Sequence, residues 1–86
     1  MKQKDYLDKV VNQIVEETIV TGGEIVAPFT NSVNTFSFPY LLSSSLLFDL
    51  FEEYCIGIYG LTKNEIDYVW EQYKNLIKDN IIDSRI

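Results

Sequence analysis

"YGLTKNEIDYVW", residues 59–70, contains the corner on which the predicted fold depends. Gly60 follows one apolar helical pattern and suits the left-handed position just beyond a helix end. Thr62 and Glu65 then match the S/T-x-x-E capping box, which predicts that a new helix begins at Lys63. The stretch therefore predicts two consecutive helices joined by a short corner.

A corner of this kind also occurs in helix-turn-helix proteins, where the second helix enters the major groove of DNA. Here that helix would present Asp67 and Glu71 in its first two turns. The preceding helix would offer Asp49, Glu52 and Glu53 but no Lys or Arg. Because DNA binding depends on cationic contacts that release counterions, we interpret the corner as a structural connection between helices.

The patterns on either side of the corner define its two helices. Ser43–Ser45 offer N-caps for a helix that ends at Tyr59. Its apolar side chains have helical spacing: Leu46, Leu47, Leu50, Phe51, Tyr54, Cys55 and Ile58. The next helix is predicted to end near Asp79, and its apolar stripe comprises Ile66, Val69, Trp70, Tyr73 and Ile77. Residues 80–86 are predicted to form a frayed or partner-docked tail.

The first half of the chain predicts a helix followed by extended structure. An amphipathic helix is expected over residues 3–18, ended by Gly22 and Gly23. "EIVAPF" (24–29) and "NTFSFPY" (34–40) are β-branched or aromatic and flank a polar turn. They predict a β-hairpin, with Pro28 and Pro39 confined to strand ends or edges; an irregular extended loop is the alternative. The predicted fold is thus a small α+β domain spanning 1–86, ending in an antiparallel helix pair.

The charge distribution is the strongest feature of the sequence. The formal net charge is -6, from 7 Lys and Arg against 13 Asp and Glu. No Lys or Arg lies between Lys9 and Lys63. A surface of this kind is repelled by nucleic acid and by anionic membranes. We therefore predict no direct contact with nucleic acid or membrane.

Catalytic and metal chemistry have little support in the sequence. The chain contains no His, which removes the commonest general base and metal ligand. Its single cysteine, Cys55, falls on an apolar helix face and is expected to be a core residue. Neighbouring carboxylates such as Glu52 and Glu53 point about 100° apart on a helix and form no compact pair. We predict a non-enzymatic protein without catalytic residues, metal or cofactor.

The compartment is predicted to be the cytoplasm. A single cysteine cannot form an intrachain disulfide and is compatible with a reducing environment. Charged residues interrupt every apolar stretch near the N-terminus, so the apolar core of a signal peptide is not apparent.

Six residues are predicted to contact a protein partner. Asp49, Glu52 and Glu53 supply an acidic helix face, and the aromatic anchors are Phe36, Phe38 and Tyr68. Aromatic anchors inside a charged rim are typical of protein interfaces. The alternative is that these aromatics fill the core.

The sequence leads to one preferred function and two alternatives. The preferred one is an acidic module that binds a basic protein surface, in the manner of small virus- or plasmid-encoded inhibitors that place carboxylates where phosphates would lie on a nucleic-acid enzyme. The first alternative is a structural or accessory subunit of a larger assembly, and self-association is compatible with either. The second is a minor enzyme that uses Cys55 or the carboxylates.

Overall fold

The structure is a computed structural model that describes residues 4–30 and 35–84, with side chains described as far as Ile81. The elements in chain order are α1 (Lys4–Glu16), β1 (Ile19–Thr21), β2 (Glu24–Val26), a 3-10 turn (Pro28–Thr30), β3 (Phe36–Ser37), α2 (Phe38–Ser43), α3 (Ser45–Tyr59) and α4 (Lys63–Ser84). The predicted α+β class is confirmed, since a helix precedes a small antiparallel sheet and further helices follow. Of the predicted polar turn at 30–34, Thr30 belongs to the 3-10 turn, and residues 31–34 lie outside the described residues.

α1 forms because its apolar side chains recur at helical spacing. Its buried residues are Leu7, Val10, Val11 and Ile14, all on the predicted face. The helix ends at Glu16, before the predicted end at residue 18. The β-branched run Thr18–Thr21 explains the difference, because such side chains favour an extended backbone.

The structure contains a strand, β1, that the sequence analysis did not predict. Gly22 and Gly23 do not end a helix; they form the two-residue turn between β1 and β2, with φ of 58° and 88°. Two-residue hairpin turns favour positive φ, which glycine adopts without a Cβ clash. The register pairs Val20 with Ile25 and Thr21 with Glu24.

β2 is the central strand, and its other edge pairs with β3. The predicted pairing between the two segments that flank residues 31–34 is therefore present, although it is shorter than predicted. Ile25 lies opposite Phe36, and both are buried. Because directly paired residues share a face, Val20, Ile25 and Phe36 form the inner face of the sheet.

The predicted strand at 34–40 is wrong beyond Ser37, because α2 begins at Phe38. The Ser37 hydroxyl caps this helix by accepting a hydrogen bond from the backbone N–H of Tyr40 at 3.3 Å. Pro39 lies in the first helical turn, where its missing N–H would have had no helical partner. Pro39 is therefore compatible with the start of α2, which Ser37 caps.

The corner between α3 and α4 is as predicted. Ser44 caps α3, and its hydroxyl accepts the Leu47 N–H at 3.2 Å. Gly60 is left-handed, with φ 64° and ψ 36°. The Thr62 N–H donates to Glu65 Oε1 at 2.8 Å, and the Glu65 N–H donates to Thr62 Oγ1 at 3.3 Å. These two bonds complete the capping box.

α4 continues past the predicted end at Asp79 and reaches Ser84. The apolar stripe also continues, because Ile77 and Ile81 lie one turn apart and are both buried. The predicted frayed tail is therefore wrong for residues 80–84, and the last two residues lie outside the described part. α4 packs more extensively on α1 than on α3. No helix in the described residues is both long and apolar enough to cross a membrane.

An aromatic cluster forms the centre of the core. The ring of Phe29, in the 3-10 turn, makes edge-on contacts with Phe51 at 5.1 Å, Tyr73 at 5.5 Å and Trp70 at 6.1 Å between ring centroids. Phe51 and Trp70 also contact each other at 4.8 Å. Phe29 thus joins the segment between β2 and β3 to both α3 and α4.

The hydroxyl of Tyr73 is a polar group in this cluster, and it is hydrogen-bonded. It lies 2.9 Å from Thr18 Oγ1, and the Thr18 hydroxyl donates to the Ile14 carbonyl at 2.8 Å. Because Thr18 has a single hydroxyl proton, Tyr73 donates to Thr18. This chain of bonds holds the end of α1 against α4.

We expect Gly60→Val to lower the free energy of unfolding by about 1 kcal/mol or more, because a β-branched residue resists positive φ. No heavy atom lies within 4 Å of a Cβ built at Gly60, so the cost is conformational rather than steric. Gly60→Asn is the control, since Asn tolerates the left-handed region and should lose less stability. Equal stability of Gly60→Val and the wild type in urea denaturation would contradict this account.

Trp70→Ala should cost roughly 3–5 kcal/mol, which is enough to unfold a domain of this size. The side chain is 7% exposed and contacts several rings of the core. Ile56→Ala is the control, because Ile56 is 49% exposed and its truncation should change stability little. Thermal unfolding monitored by circular dichroism measures the stability of both variants. A folded Trp70→Ala protein that had lost only partner binding would place Trp70 in an interface instead.

Candidate functional site

The predicted acidic residues lie on α3, which contains no Lys or Arg. Asp49 and Glu53 are exposed and one turn apart, so they share a face. Glu52 is half-buried and lies about 100° around the helix from Glu53. The lysines in the described part of the chain lie on the other two long helices. Lys4 and Lys9 belong to α1, and Lys63, Lys74 and Lys78 belong to α4. α3 therefore presents carboxylates with no cation on the same element.

The three predicted aromatic anchors have different positions. Phe36 is 9% exposed and belongs to the core, so its ring is not available as a free surface anchor. Phe38 is half-buried and packs against the core. The Tyr68 hydroxyl donates to Asp8 Oδ1 at 2.7 Å, which places Tyr68 in the contact between α4 and α1. The structure does not gather these aromatics beside the acidic residues of α3.

Apolar side chains of α3 provide the surface that the sequence prediction missed. Leu47, Phe51 and Cys55 are buried, whereas Leu46 and Ile58 are 59% and 64% exposed. Assigning Leu46 and Ile58 to the same buried stripe is therefore wrong. α3 carries more apolar residues than one packed face can hold. This excess in the sequence could have indicated that some of them would be exposed.

A groove runs between α3 and the 3-10 turn, with a volume of about 440 Å³. Pro28 forms one wall, and the α3 wall comprises Leu50, Glu53, Tyr54, Gly57 and Ile58. Leu50 also borders a second depression of about 390 Å³, which Leu46 and Tyr40 line from α3 and α2. We call the first of these the α3 groove. It combines apolar walls with the carboxylate of Glu53.

Tyr54 links this groove to a second carboxylate. Its hydroxyl donates to Glu17 Oε2 at 3.3 Å, and its ring contacts that of Tyr59 at 6.1 Å. Burial, followed by the negative charge of Glu17, raises the pKa of Tyr54 to about 12. Tyr54 is thus a neutral hydrogen-bond donor at physiological pH, and Glu17 adds negative charge at this edge of the groove.

The chemistry of Cys55 is that of a core residue. The side chain is fully buried, and burial raises the pKa of its thiol to about 12. The thiolate is the nucleophile in cysteine chemistry, so the neutral thiol is poorly reactive at neutral pH. Within the described residues, no group of three or more His, Cys, Asp or Glu is placed to hold a metal ion.

Comparisons with protein-family models, with curated proteins and with solved structures find no match to this chain. The surface of α3 is the starting point for the proposed function. Its features are exposed apolar side chains, a groove and adjoining carboxylates.

We expect Cys55 to react slowly with a thiol reagent in the folded protein and rapidly in denaturant, because the neutral thiol is enclosed. Labelling kinetics at neutral pH, with and without denaturant, measure this. Rapid labelling of the folded protein would show that Cys55 is accessible and would reopen a catalytic role.

The same burial predicts loss of stability at alkaline pH. The pKa of Cys55 rises from 9.0 to about 12 on folding, so its stabilising effect is complete below pH 9 and is lost as pH rises towards 12. Burial raises the pKa of Tyr73 as well, which adds an effect of the same sign. The melting temperature should fall over this range, and Cys55→Ala should show a shallower fall. An unchanged melting temperature from pH 8 to 11 would contradict this prediction.

Proposed function

We propose that this protein is a non-enzymatic module that binds the basic surface of another protein through α3. The observation that supports this most directly is the juxtaposition of exposed apolar side chains with carboxylates on one helix. Leu46, Leu50 and Ile58 supply apolar contact area. Glu53 lines the α3 groove together with Leu50 and Ile58, and Asp49 lies one turn before Glu53 on the same helix face. We call these five residues the α3 surface.

Each component of the α3 surface has a distinct physical role in binding. Burial of the apolar side chains provides affinity, because removing apolar area from water is favourable. The carboxylates attract a cationic partner and accelerate association, while each exposed pair adds only about 0–1 kcal/mol. Since the chain has no cation between Lys9 and Lys63, no nearby Lys or Arg along the chain neutralises this attraction.

A more specific form of the proposal concerns the partner. A basic groove that normally holds nucleic acid is lined with Lys and Arg, which bind phosphates. A small protein with a net charge of -6 can present carboxylates to those side chains. We propose an inhibitor of a nucleic-acid enzyme, encoded by a virus or a plasmid and acting in the cytoplasm, where Cys55 would stay reduced.

The alternative is a structural or accessory subunit of a larger assembly. The observation in its favour is that apolar exposure extends beyond the α3 surface: Leu42 on α2 is 54% exposed and Ile56 on α3 is 49% exposed. Such a subunit should aggregate or lose structure when purified alone, because its apolar surface would lack its partner. An independent binding module should remain folded and dispersed under the same conditions.

The proposal predicts that the acidic residues of α3 act together. In Asp49→Asn/Glu52→Gln/Glu53→Gln, we expect an intact fold, slower association with the partner and a flatter dependence of affinity on ionic strength. The partner is first recovered from the cell that encodes this protein, and rates are measured by surface plasmon resonance at several salt concentrations.

The matched control is Asp5→Asn/Asp67→Asn/Asp79→Asn, which removes the same charge from exposed positions on α1 and α4. This variant should retain most of the wild-type rate and salt dependence. If the α3 variant binds like the wild type, the acidic-surface proposal is wrong and the structural-subunit alternative takes its place.

A further inference from the structure

The α3 groove has a feature that the fold itself does not require. Gly57 lies within α3, where glycine is less favourable than alanine. No heavy atom lies within 4 Å of a Cβ built at this position, and its φ is outside the left-handed range that favours glycine. Neither packing nor backbone conformation therefore explains the absence of a side chain. Its consequence is an open stretch of helix backbone on the groove wall.

We infer that the α3 groove docks a cationic amphipathic helix. An open stretch of backbone allows a second helix to approach α3 closely, since the distance between packed helices depends on the side chains at the contact. Leu50 lies two turns before Gly57 on the same helix face, and Ile58 is the residue that follows it. Both line the groove and would contact the apolar face of the incoming helix. This is the helix-in-groove mode of recognition.

The charge around the groove selects a basic occupant. Glu53 lies on the groove wall, and Glu17 accepts a hydrogen bond from Tyr54 at the groove edge. Lys or Arg side chains flanking the apolar face of the docked helix would lie near these carboxylates. A second copy of this chain is disfavoured, because a symmetric pair would bring Glu53 of each copy towards the same acidic surface. The inference rests on the proposed function and specifies which part of the basic partner is bound.

Three consecutive positions of α3 allow a matched test. Gly57→Gln fills the groove and Ile58→Gln removes an apolar contact, and both leave every charge in place. Ile56→Gln introduces the same residue at an exposed position that does not line the groove. The probe is a synthetic leucine–lysine peptide of about 14 residues, or about 20 Å of helix, with its leucines on one face. A scrambled peptide of identical composition has the same charge without the apolar face.

Binding is measured by fluorescence anisotropy, and circular dichroism checks the fold. We expect the wild type to bind the amphipathic peptide, and Gly57→Gln and Ile58→Gln each to weaken binding by about tenfold or more. Ile56→Gln should change affinity by less than about twofold, and the melting temperature of Gly57→Gln should equal or exceed that of the wild type.

Other outcomes would overturn the inference in identifiable ways. Equal binding of the two peptides, or no loss in any of the three variants, would show that charge alone drives association. Equal loss in all three variants would show that the groove is not the site. Either result would overturn the inference and leave the proposed function intact. No binding of either peptide would also reject the groove as a helix site, while the salt dependence of partner binding would still decide the proposed function. Dimerisation of the wild type in sedimentation equilibrium, abolished by Gly57→Gln, would assign the groove to a second copy.

Discussion

The position of Phe29 is the constraint on which the rest of the structure depends. Its ring contacts Phe51 on α3 and both Trp70 and Tyr73 on α4. Because Phe29 lies in the 3-10 turn, this packing brings the segment between β2 and β3 against α3. Pro28, its neighbour, then forms a wall of the α3 groove. The 3-10 turn therefore contributes both to the core, through Phe29, and to the α3 groove, through Pro28.

α3 divides its apolar residues between the core and the surface. Its buried row, Leu47, Phe51 and Cys55, completes the core, and Leu46 and Ile58 are exposed. Exposed apolar area favours association, and a net charge of -6 opposes non-specific aggregation. Under the proposed function, this combination would select a partner that carries both an apolar face and positive charge.

Two titratable groups, Cys55 and Tyr73, lie in the core. Burial raises the pKa of both Cys55 and Tyr73, so neither is ionised at neutral pH. Tyr73 is also engaged with Thr18 at the end of α1, which gives its hydroxyl a structural role. No buried side-chain nitrogen or oxygen in the described residues lacks a hydrogen-bond partner.

The sequence by itself determined α1, the start and end of α3, the Gly60 corner and the Thr62–Glu65 capping box, because helical periodicity and capping are local properties. It also placed the carboxylates of α3 on a segment without cations. Tertiary structure alone decided which apolar residues of α3 are buried, that Phe36 belongs to the core, and that the last helix extends to Ser84 with Ile81 buried. The physical reason is that burial depends on which elements pack together. Periodicity along one helix cannot show that α1 packs along α4 or that Phe29 inserts between α3 and α4, and the α3 groove follows from that packing.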